Sequence, residues 1–193
     1  MKIILASNSP RRREILKNAG YDFEVRVSDF SETDIKGDPK KTATENAKGK
    51  ARDVFLKIQA EKGDKNDIAV IGADTVVFIG GKILGKPKSK EEAAVMLKNL
   101  SDKTHEVVTG YAIICGEKEI TGASFSKVTF NKLSDEIISE YVTTGLPMDK
   151  AGAYGIQDGF PIVESFTGEF ENVMGLPIAE IKKRLKEAGL KRG

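Results

Sequence analysis

The chain has few of the residues that disulfide frameworks, multi-histidine metal sites and aromatic stacking surfaces require. Its 193 residues include one cysteine, one histidine and no tryptophan. One cysteine excludes a disulfide within the chain, and one histidine excludes a metal site built from several histidines. The nine phenylalanines and four tyrosines are scattered, so no stacking surface for single-stranded nucleic acid stands out.

A strong excess of charge of one sign and long apolar runs are absent as well. Lys and Arg number 31 and Asp and Glu 29, which gives a net charge of +2, too even for a protein that binds a nucleic-acid backbone. The first apolar stretch is only four residues long, and the run from Ile68 to Ala73 stops at Asp74. Neither is long enough for a signal peptide or a membrane span. We therefore expect a cytoplasmic, soluble protein that binds neither membranes nor nucleic acid.

What is present predicts an α/β fold with a mixed sheet. Hydrophobic residues make up 39% of the chain, which is enough for a core without disulfides or zinc. No repeat or linker divides the chain, so we expect one domain over residues 1–193. The predicted elements of the first half are a strand at Ile3–Leu5, a helix from Ser9-Pro10 to Gly20, a strand over Phe23–Val27, a loop over Ser28–Lys41 and a long helix from about Thr42 to Ala60.

The second half predicts antiparallel pairs and shorter helices. Its elements are a hairpin from Ile68 through the Gly80-Gly81 turn to Leu84, with the first arm interrupted at Ala73-Asp74; a helix capped by Ser89 and Glu92 that runs to Leu100; a long hairpin of Glu106–Cys115 with Glu119–Phe130; a helix from Ser134 to Val142; and a last helix after Pro177 with Ile178, Ile181, Leu185 and Leu190 on its apolar face.

Three arginines stand where a helix favours acidic residues. Arg11, Arg12 and Arg13 fall in the first turn of the first predicted helix, whose N-terminus carries a partial positive charge. A bound phosphate would explain them, because free N–H groups and arginines together form an anion site, to which Ser7 could add a hydroxyl. A basic turn facing water remains an equally good interpretation.

Asp74 is the strongest candidate for chemistry. It stands between two apolar segments, so its carboxylate is expected to be partly buried, and an unpaired buried charge costs several kcal/mol. A metal ion, a paired cation, or backbone N–H groups at a turn would each offset that cost. Lys50 and Asn46 lie one turn apart on an alanine-rich helix, and Glu32 stands in a polar loop where it is either a metal ligand or plain surface.

Other residues invite weaker interpretations. Residues 80–86 fit the G-x-x-x-x-G-K pattern of a P-loop, but Pro87 replaces the required Ser or Thr and the segment spans a hairpin. We therefore reject a P-loop, while Lys86 can still reach a phosphate. His105 and Cys115 have no catalytic partners in the sequence and are expected to pack in the core or at its edge.

Several segments together resemble the Maf family of nucleoside triphosphate pyrophosphatases. They keep the family's order and span nearly the whole chain. The matching segments are residues 5–16 (LASNSPRRREIL), 45–51 (ENAKGKA), 72–77 (GADTVV), 85–87 (GKP), 104–110 (THEVVTG), 149–157 (DKAGAYGIQ) and 172–177 (NVMGLP).

This resemblance implies a twisted mixed sheet flanked by helices, with two lobes around a central cleft, and hydrolysis of a nucleoside triphosphate to the monophosphate and pyrophosphate. It implies a divalent cation, Mg or Mn, and a homodimer. By their places in the family motifs, Asp74 and Lys50 would be catalytic, and Glu32 and Asp74 would hold the metal. The implied substrate-binding residues are Ser7, Arg11, Arg12, Lys86, Thr75 and Gln157.

The resemblance also points to the dTTP/UTP branch, in which Arg11, Thr75 and Gln157 occupy the positions linked to base choice. Modified pyrimidine nucleotides are further expected substrates. Asp158 departs from the family pattern, in which glycine often follows the glutamine. Alternative hypotheses are a pyrophosphatase for non-canonical purine nucleotides such as ITP, a nucleotide-binding regulator of septum formation and, least favoured, a nucleic-acid binder.

Overall fold

The computed structural model describes residues 1–62 and 68–189. Within them, seven strands form one mixed sheet in the order β2-β1-β3-β5-β6-β7, with β4 paired to the distal part of β3. The β2, β1 and β3 strands are parallel, and all other pairs are antiparallel. The strands are β1 (Lys2–Leu5), β2 (Phe23–Val25), β3 (Ile68–Ile79), β4 (Lys82–Leu84), β5 (Thr104–Cys115), β6 (Lys118–Phe130) and β7 (Val163–Thr167).

Helices cover both faces of this sheet. Ser89 and Ser134 cap two of them, since their hydroxyls accept hydrogen bonds from the backbone N–H groups of Glu92 and Ile137. No helix in the described ranges is both long enough and apolar enough to cross a bilayer. The helices are α1 (Pro10–Asn18), α2 (Pro39–Lys62), α3 (Lys90–Leu100), α4 (Asp135–Thr143), α5 (Phe170–Met174) and α6 (Ile178–Glu187), and two 3-10 turns lie at Leu146–Asp149 and Ala151–Ala153.

The buried apolar residues divide into two lobes along the long strands. In the first lobe, α1 and α6 pack on one face of β1 and β3 and α2 packs on the other. In the second lobe, α3, α4 and the second 3-10 turn pack around the distal part of β3 and the facing parts of β5 and β6. The two lobes therefore share the same sheet, which fixes the cleft between them.

Close contact between α2 and the sheet depends on two glycines. A Cβ on Gly72 would lie 2.2 Å from the Ala47 carbonyl oxygen, and one on Gly110 would lie 2.2 Å from the Ala43 carbonyl carbon. Because these neighbours are backbone atoms, only glycine allows the helix to approach this closely. The approach brings the side chains of α2 to the middle of β3.

An opening in the edge of β3 provides the site. The β1 strand pairs with β3 only as far as Leu5–Ile71, and β4 pairs with the same edge only from Val77 onward. Between these limits, residues 72–76 pair with β5 alone among the described strands. Asp74 and Thr75 therefore lie on an unpaired stretch of strand edge beyond the carboxyl end of β1, where ligands commonly bind in parallel sheets.

Most of the predicted elements are confirmed, with three corrections. The break at Ala73-Asp74 is wrong, because β3 runs through Asp74, whose carboxylate is paired by neighbouring side chains and needs no turn. The second strand stops at Val25. The long helix begins earlier, at Pro39, where Asp38 accepts a hydrogen bond from the Lys41 N–H at 2.8 Å.

The sequence interpretation also missed β7 and α5, which are short and carry no clear periodicity. The last predicted helix is confirmed over Ile178–Glu187, and Leu190 lies outside the described residues. The Gly80-Gly81 turn joins β3 to β4, in keeping with the rejection of a P-loop.

Candidate active site

A cavity of about 650 Å³ lies in the cleft between the two lobes, at the open edge of β3. The structure brings together all of the residues singled out from the sequence as catalytic, substrate-binding or metal-binding. Those that line the cavity are Ser7, Arg11, Arg12, Glu32, Lys50, Asp74, Thr75, Lys86 and Gln157.

Asp74 is buried and its two carboxylate oxygens are held by α2. The Lys50 Nζ lies 2.6 Å from Oδ1, and the Asn46 Nδ2 donates to Oδ2 at 3.0 Å. The same Lys50 ammonium lies 2.6 Å from a carboxylate oxygen of Glu32, in the loop before α2. Two carboxylates from separate elements thus converge on one positive charge.

The charges around Glu32 change its protonation equilibrium. Burial alone would raise the pKa of Glu32. The hydrogen bond and charge of Lys50, with the charges of Lys86 and Arg12, outweigh burial and lower the pKa below its usual value. Glu32 is therefore an anion at neutral pH, as a cation ligand or an ion-pair partner must be.

The half-buried side chain of Arg12 is fixed on three sides. Its Nε donates to the Gly175 carbonyl at 2.7 Å, Nη1 donates to the Ser7 hydroxyl at 3.1 Å, and Nη2 donates to the Thr75 hydroxyl at 3.2 Å. Burial lowers the pKa of Arg12, and the negative charge of Asp74 opposes that effect. Of the five N–H groups of a guanidinium, two remain for a ligand.

The hydroxyl of Thr75 has a fixed hydrogen-bond direction. Thr109 donates its single hydroxyl hydrogen to the Asn172 carbonyl at 2.8 Å. The Thr75 and Thr109 hydroxyls are 2.9 Å apart, so Thr75 must donate to Thr109. The Thr75 oxygen then accepts from Arg12, which leaves Thr75 no hydrogen to donate to a nucleotide base.

Arg11 belongs to a series of ion pairs that crosses the cleft. Its guanidinium lies 2.7 Å from an oxygen of Asp149, whose other oxygen lies 3.0 Å from the Lys150 ammonium. Burial alone would raise the pKa of Asp149, but hydrogen bonds from Lys150 and Arg11 lower it. Lys150 is itself buried, and it also contacts the Leu146 carbonyl at 2.5 Å and Asp158 at 3.3 Å.

Gln157 and Lys86 complete the lining on the side of the second lobe. The Gln157 Nε2 donates to Asp158 Oδ1 at 2.8 Å. Lys86 is exposed and forms no ion pair with any described residue, which distinguishes it from Arg11 and Lys50. It is therefore the cation in this cavity that is most readily available to an incoming anion.

Arg13, His105 and Cys115 lie away from the cavity lining. Arg13 is not part of the cavity lining, and its guanidinium binds the backbone and side-chain oxygens of Asn8. His105 is buried with its Nε2 2.8 Å from the Tyr154 hydroxyl, and Cys115 packs against the first lobe. His105 and Cys115 thus have the packing roles expected for them.

Sequence reasoning missed Asp149, Lys150 and Asp158 as site residues. The segment 149–157 matches a family motif, yet an Asp-Lys pair in a chain with 31% charged residues carries no sign of burial. The available signal was Asp158, a carboxylate where the family pattern often has glycine.

Within the described residues, no three or more His, Cys, Asp or Glu side chains cluster as a metal site. Glu32 and Asp74 bring two carboxylates to the cavity. Mg²⁺ usually takes one or two protein carboxylates and completes its shell with waters and phosphate oxygens. The donor set in the cavity fits such an ion.

Comparison with known proteins places this geometry in a family. A family model described as "Maf-like protein" matches residues 2–188. The chain is 51% identical over 187 residues to a dTTP/UTP pyrophosphatase of Pyrococcus furiosus, with 96% of this chain and 94% of that protein covered. It is 46% identical over 194 residues to a dTTP/UTP pyrophosphatase of Aquifex aeolicus, with 100% and 98% covered.

A solved structure of a nucleoside-triphosphatase / dITP/XTP pyrophosphatase from Mycobacterium abscessus is 17% identical, with a TM-score of 0.41 and with 97% of this chain and 94% of that chain covered. A likeness of that size adds nothing to the family assignment. The match of one family model to nearly the whole chain, together with relatives near 50% identity, shows that the chain belongs to the Maf-like family.

Proposed function

We propose that this chain is a nucleoside triphosphate pyrophosphatase that hydrolyses dTTP and UTP, and related modified pyrimidine nucleotides, to the monophosphate and pyrophosphate. One observation carries the proposal: a buried carboxylate, Asp74, lies beside Lys50 in a cleft that Arg11, Arg12 and Lys86 also line. The names of the two relatives support the choice of reaction and substrates.

The cationic side chains suit a triphosphate. Its cleavage is catalysed mainly by positioning and by stabilisation of negative charge. Arg12 has two N–H groups left after its three protein contacts, and Lys86 has no ion-pair partner in the described part of the chain. We assign both to phosphate oxygens, with the Ser7 hydroxyl beside Arg12.

Asp74 is suited to receive a proton from water. In the proposed reaction, a water oxygen forms a bond to the α-phosphorus, and the bond from that phosphorus to the bridging oxygen of pyrophosphate breaks. The water proton passes to a carboxylate oxygen of Asp74. Each of these oxygens accepts one hydrogen bond, from Lys50 or Asn46, and so keeps a lone pair for water. Lys50 holds the carboxylate in place.

A divalent cation, Mg²⁺ or Mn²⁺, is part of the proposal, with Glu32 and Asp74 as its protein ligands. Both carboxylates already lie around a positive charge, the Lys50 ammonium, which indicates a position favourable to a cation. When bound there, the ion would neutralise phosphate charge and lower the pKa of a coordinated water.

The proposed reaction is tested by measuring pyrophosphate release from a panel of triphosphates, ITP included, with Mg²⁺ and with Mn²⁺. We expect turnover of dTTP and UTP above that of ITP. Loss of a general base typically costs about 100- to 10,000-fold in rate, so Asp74→Asn should lower kcat by that amount. Thermal melting of the variant checks that it folds.

Two outcomes would refute the proposal. The first is purified wild-type protein that releases no pyrophosphate from any triphosphate with either metal present. The second is an Asp74→Asn variant with wild-type kcat, which would remove Asp74 from the chemistry even if the reaction is correct. A higher kcat/KM for ITP than for dTTP would instead favour the purine alternative.

We also propose a homodimer, on the family resemblance, and a cytoplasmic location, on the charge balance and short apolar runs of the sequence. Light scattering after size-exclusion chromatography should give twice the chain mass of 21.0 kDa. Cell fractionation of the native host should recover the chain with cytoplasmic markers. A monomeric mass or a membrane-bound pool would contradict the respective proposal.

A further inference from the structure

We infer that Asp158 determines base specificity by fixing the side-chain amide of Gln157, so that its donor and acceptor cannot exchange places. The inference rests on the proposed function, in which Gln157 contacts the base of a pyrimidine nucleotide. It assigns Asp158 a positioning role, since Asp158 acts through its neighbour and is not placed in contact with the substrate.

The Asp158 carboxylate is buried although it lies in a loop, with only 6% of its side chain exposed. Its Oδ2 accepts from the Tyr141 hydroxyl at 2.5 Å and lies 3.3 Å from the Lys150 ammonium. Its Oδ1 accepts from the Gln157 Nε2 at 2.8 Å. Partners from three directions therefore hold this carboxylate.

The loop that carries Gln157 is fixed by the same contacts. The Tyr141 hydroxyl accepts a hydrogen bond from the Gly155 N–H at 3.0 Å, which ties the loop to α4. A Cβ on Gly155 would lie 2.5 Å from an Asp158 oxygen, so the backbone here is packed directly against the carboxylate. Asp158 has little freedom to move away from Gln157.

A carboxylate decides which end of an amide faces it. An ionised carboxylate has only acceptors, so the amide must present its NH₂ group. The reversed amide would place the Gln157 carbonyl oxygen against a carboxylate oxygen, where the two acceptors repel. One N–H of Gln157 is therefore committed to Asp158, while its Oε1 makes no hydrogen bond with any described residue. The second N–H and Oε1 remain for a ligand, in a fixed order.

That fixed order separates two kinds of pyrimidine. Uracil and thymine present an acceptor at O4 next to a donor at N3–H, whereas cytosine presents a donor at N4 next to an acceptor at N3. A freely turning amide pairs with either edge, because rotation by 180° exchanges its ends. An amide held by Asp158 pairs with the uracil and thymine edge. Against cytosine, its N–H would face the N4 donor and its carbonyl oxygen would face the N3 acceptor, so both contacts are repulsive.

Asp158→Asn tests this with almost no change of shape. The Tyr141 hydroxyl and the Lys150 ammonium lie beside one carboxylate oxygen, so the carbonyl oxygen of the substituted side chain stays there and its NH₂ group faces Gln157. The Gln157 amide then loses its wild-type order, because its carbonyl oxygen can now pair with that NH₂ group. Kinetics with UTP and CTP under one metal condition give the ratio of kcat/KM for the two substrates. We expect that ratio to fall about tenfold in Asp158→Asn, as is typical when a base edge loses its discriminating pair of hydrogen bonds.

Two further variants separate positioning from a general structural effect. Tyr141→Phe removes the hydrogen bond to the same carboxylate and the acceptor of the Gly155 N–H, so it loosens the loop but leaves the carboxylate beside Gln157. If the carboxylate fixes the amide, the UTP to CTP ratio should stay within about twofold of wild type. In a Gln157→Ala background, Asp158→Asn should change the ratio no further, because the residue through which Asp158 acts is gone. If Asp158→Asn does not fold, Asp158→Ser replaces it, since a hydroxyl can also donate or accept.

The outcomes distinguish this inference from the proposed function. A wild-type enzyme that prefers UTP, with a preference that survives in Asp158→Asn, overturns the inference and leaves the function intact. The inference is also overturned, and the function left intact, if Asp158→Asn lowers the ratio equally in the wild-type and Gln157→Ala backgrounds. Failure of the wild-type protein to hydrolyse UTP overturns the proposed function and this inference with it.

Discussion

At the scale of single residues, the orientation of one hydroxyl hydrogen decides which hydrogen bonds hold the half-buried Arg12. The Thr109 hydroxyl donates to the Asn172 carbonyl and accepts from Thr75, which in turn accepts from Arg12. Thr109 is fully buried and is not among the residues that line the cavity. It therefore acts on the proposed phosphate site only through Thr75 and Arg12.

Thr109→Val is expected to disturb Arg12 while preserving shape. Valine cannot accept a hydrogen bond from the Thr75 hydroxyl. The Thr75 hydroxyl hydrogen then turns toward the Arg12 guanidinium, where it repels the N–H group that donates to the same oxygen. We expect kcat/KM for dTTP to fall about tenfold, as for loss of one hydrogen bond to a charged group. Thr109→Ser should restore it, because serine keeps the hydroxyl. Steady-state kinetics of both variants, with thermal melting, checks this, and unchanged kinetics in Thr109→Val would contradict it.

Site residues could be predicted from the sequence where their local placement is energetically unfavourable without a ligand or partner. Asp74 interrupts an apolar run, and Arg11 and Arg12 stand at a helix N-terminus, so each has a local cost that a ligand or partner offsets. Lys150 shows the limit of such reasoning. Lys150 is buried because it pairs with Asp149 beside it and with Asp158 across a turn. No local sequence pattern indicates that the turn brings Asp158 to Lys150.

At the scale of elements, the approach of α2 to the sheet places Lys50 and Asn46 beside Asp74. Gly72 lies two residues before Asp74 on β3, and a Cβ there would meet the backbone of Ala47 and Ala51 at 2.2 and 2.9 Å. Backbone atoms within a helix cannot give way singly. Any larger residue at Gly72 therefore moves the whole helix and the two side chains that contact Asp74.

Gly72→Ala should consequently reduce both stability and activity. Overpacking of this kind costs typically about 1–3 kcal/mol, and the contact with backbone places this variant at the upper end. Urea unfolding measures the free energy of unfolding, and pyrophosphate release measures the activity. Gly85→Ala is the control for stability, because its Cβ would meet no atom within 4 Å. Equal stability of the two variants would contradict the close approach of α2.

The elements themselves followed from sequence wherever their signals were local. Ser89 and Ser134 indicate their helices because a cap is recognisable within four residues. Asp74 is the opposite case, because a charged residue inside an apolar strand predicts a break in that strand. The partners that allow the strand to continue, Lys50 and Asn46, lie on α2 and cannot be read from the local sequence. The pairing of β7 with β6 depends on residues more than 30 positions apart, so its short sequence could not reveal it.

At the scale of the whole molecule, the two lobes share β3, β5 and β6, and the cleft exists because β1 and β4 leave part of the edge of β3 unpaired. The second lobe contributes Gln157 and the Asp149–Lys150 pair, and the first contributes the arginines and α2. A buried histidine lies in the second lobe, where Phe130 and Tyr154 pack against its ring edge to face at 5.0 and 5.3 Å between ring centroids.

That histidine, His105, makes the stability of the fold depend on pH. Burial lowers the pKa of His105 from 6.5 to about 4. Between these values the unfolded chain binds a proton that the folded chain excludes, so acid favours unfolding. The stability from this group is therefore present in full above pH 6.5 and is lost as the pH falls toward 4, by about 3 kcal/mol in total.

Because the chain has one histidine, any part of the pH dependence that His105→Asn removes can be assigned to that side chain. Urea unfolding between about pH 4 and 7 should show a free energy of unfolding that falls with acid, and His105→Asn should remove the part of the slope between about pH 5 and 6.5, where carboxylates contribute little. The His105 ring proton resonance in the folded protein should not titrate until the pH nears 4. A resonance that titrates near 6.5, or a slope that His105→Asn leaves unchanged, would mean that water or a proton reaches the ring and that the second lobe is less tightly closed than its packing indicates.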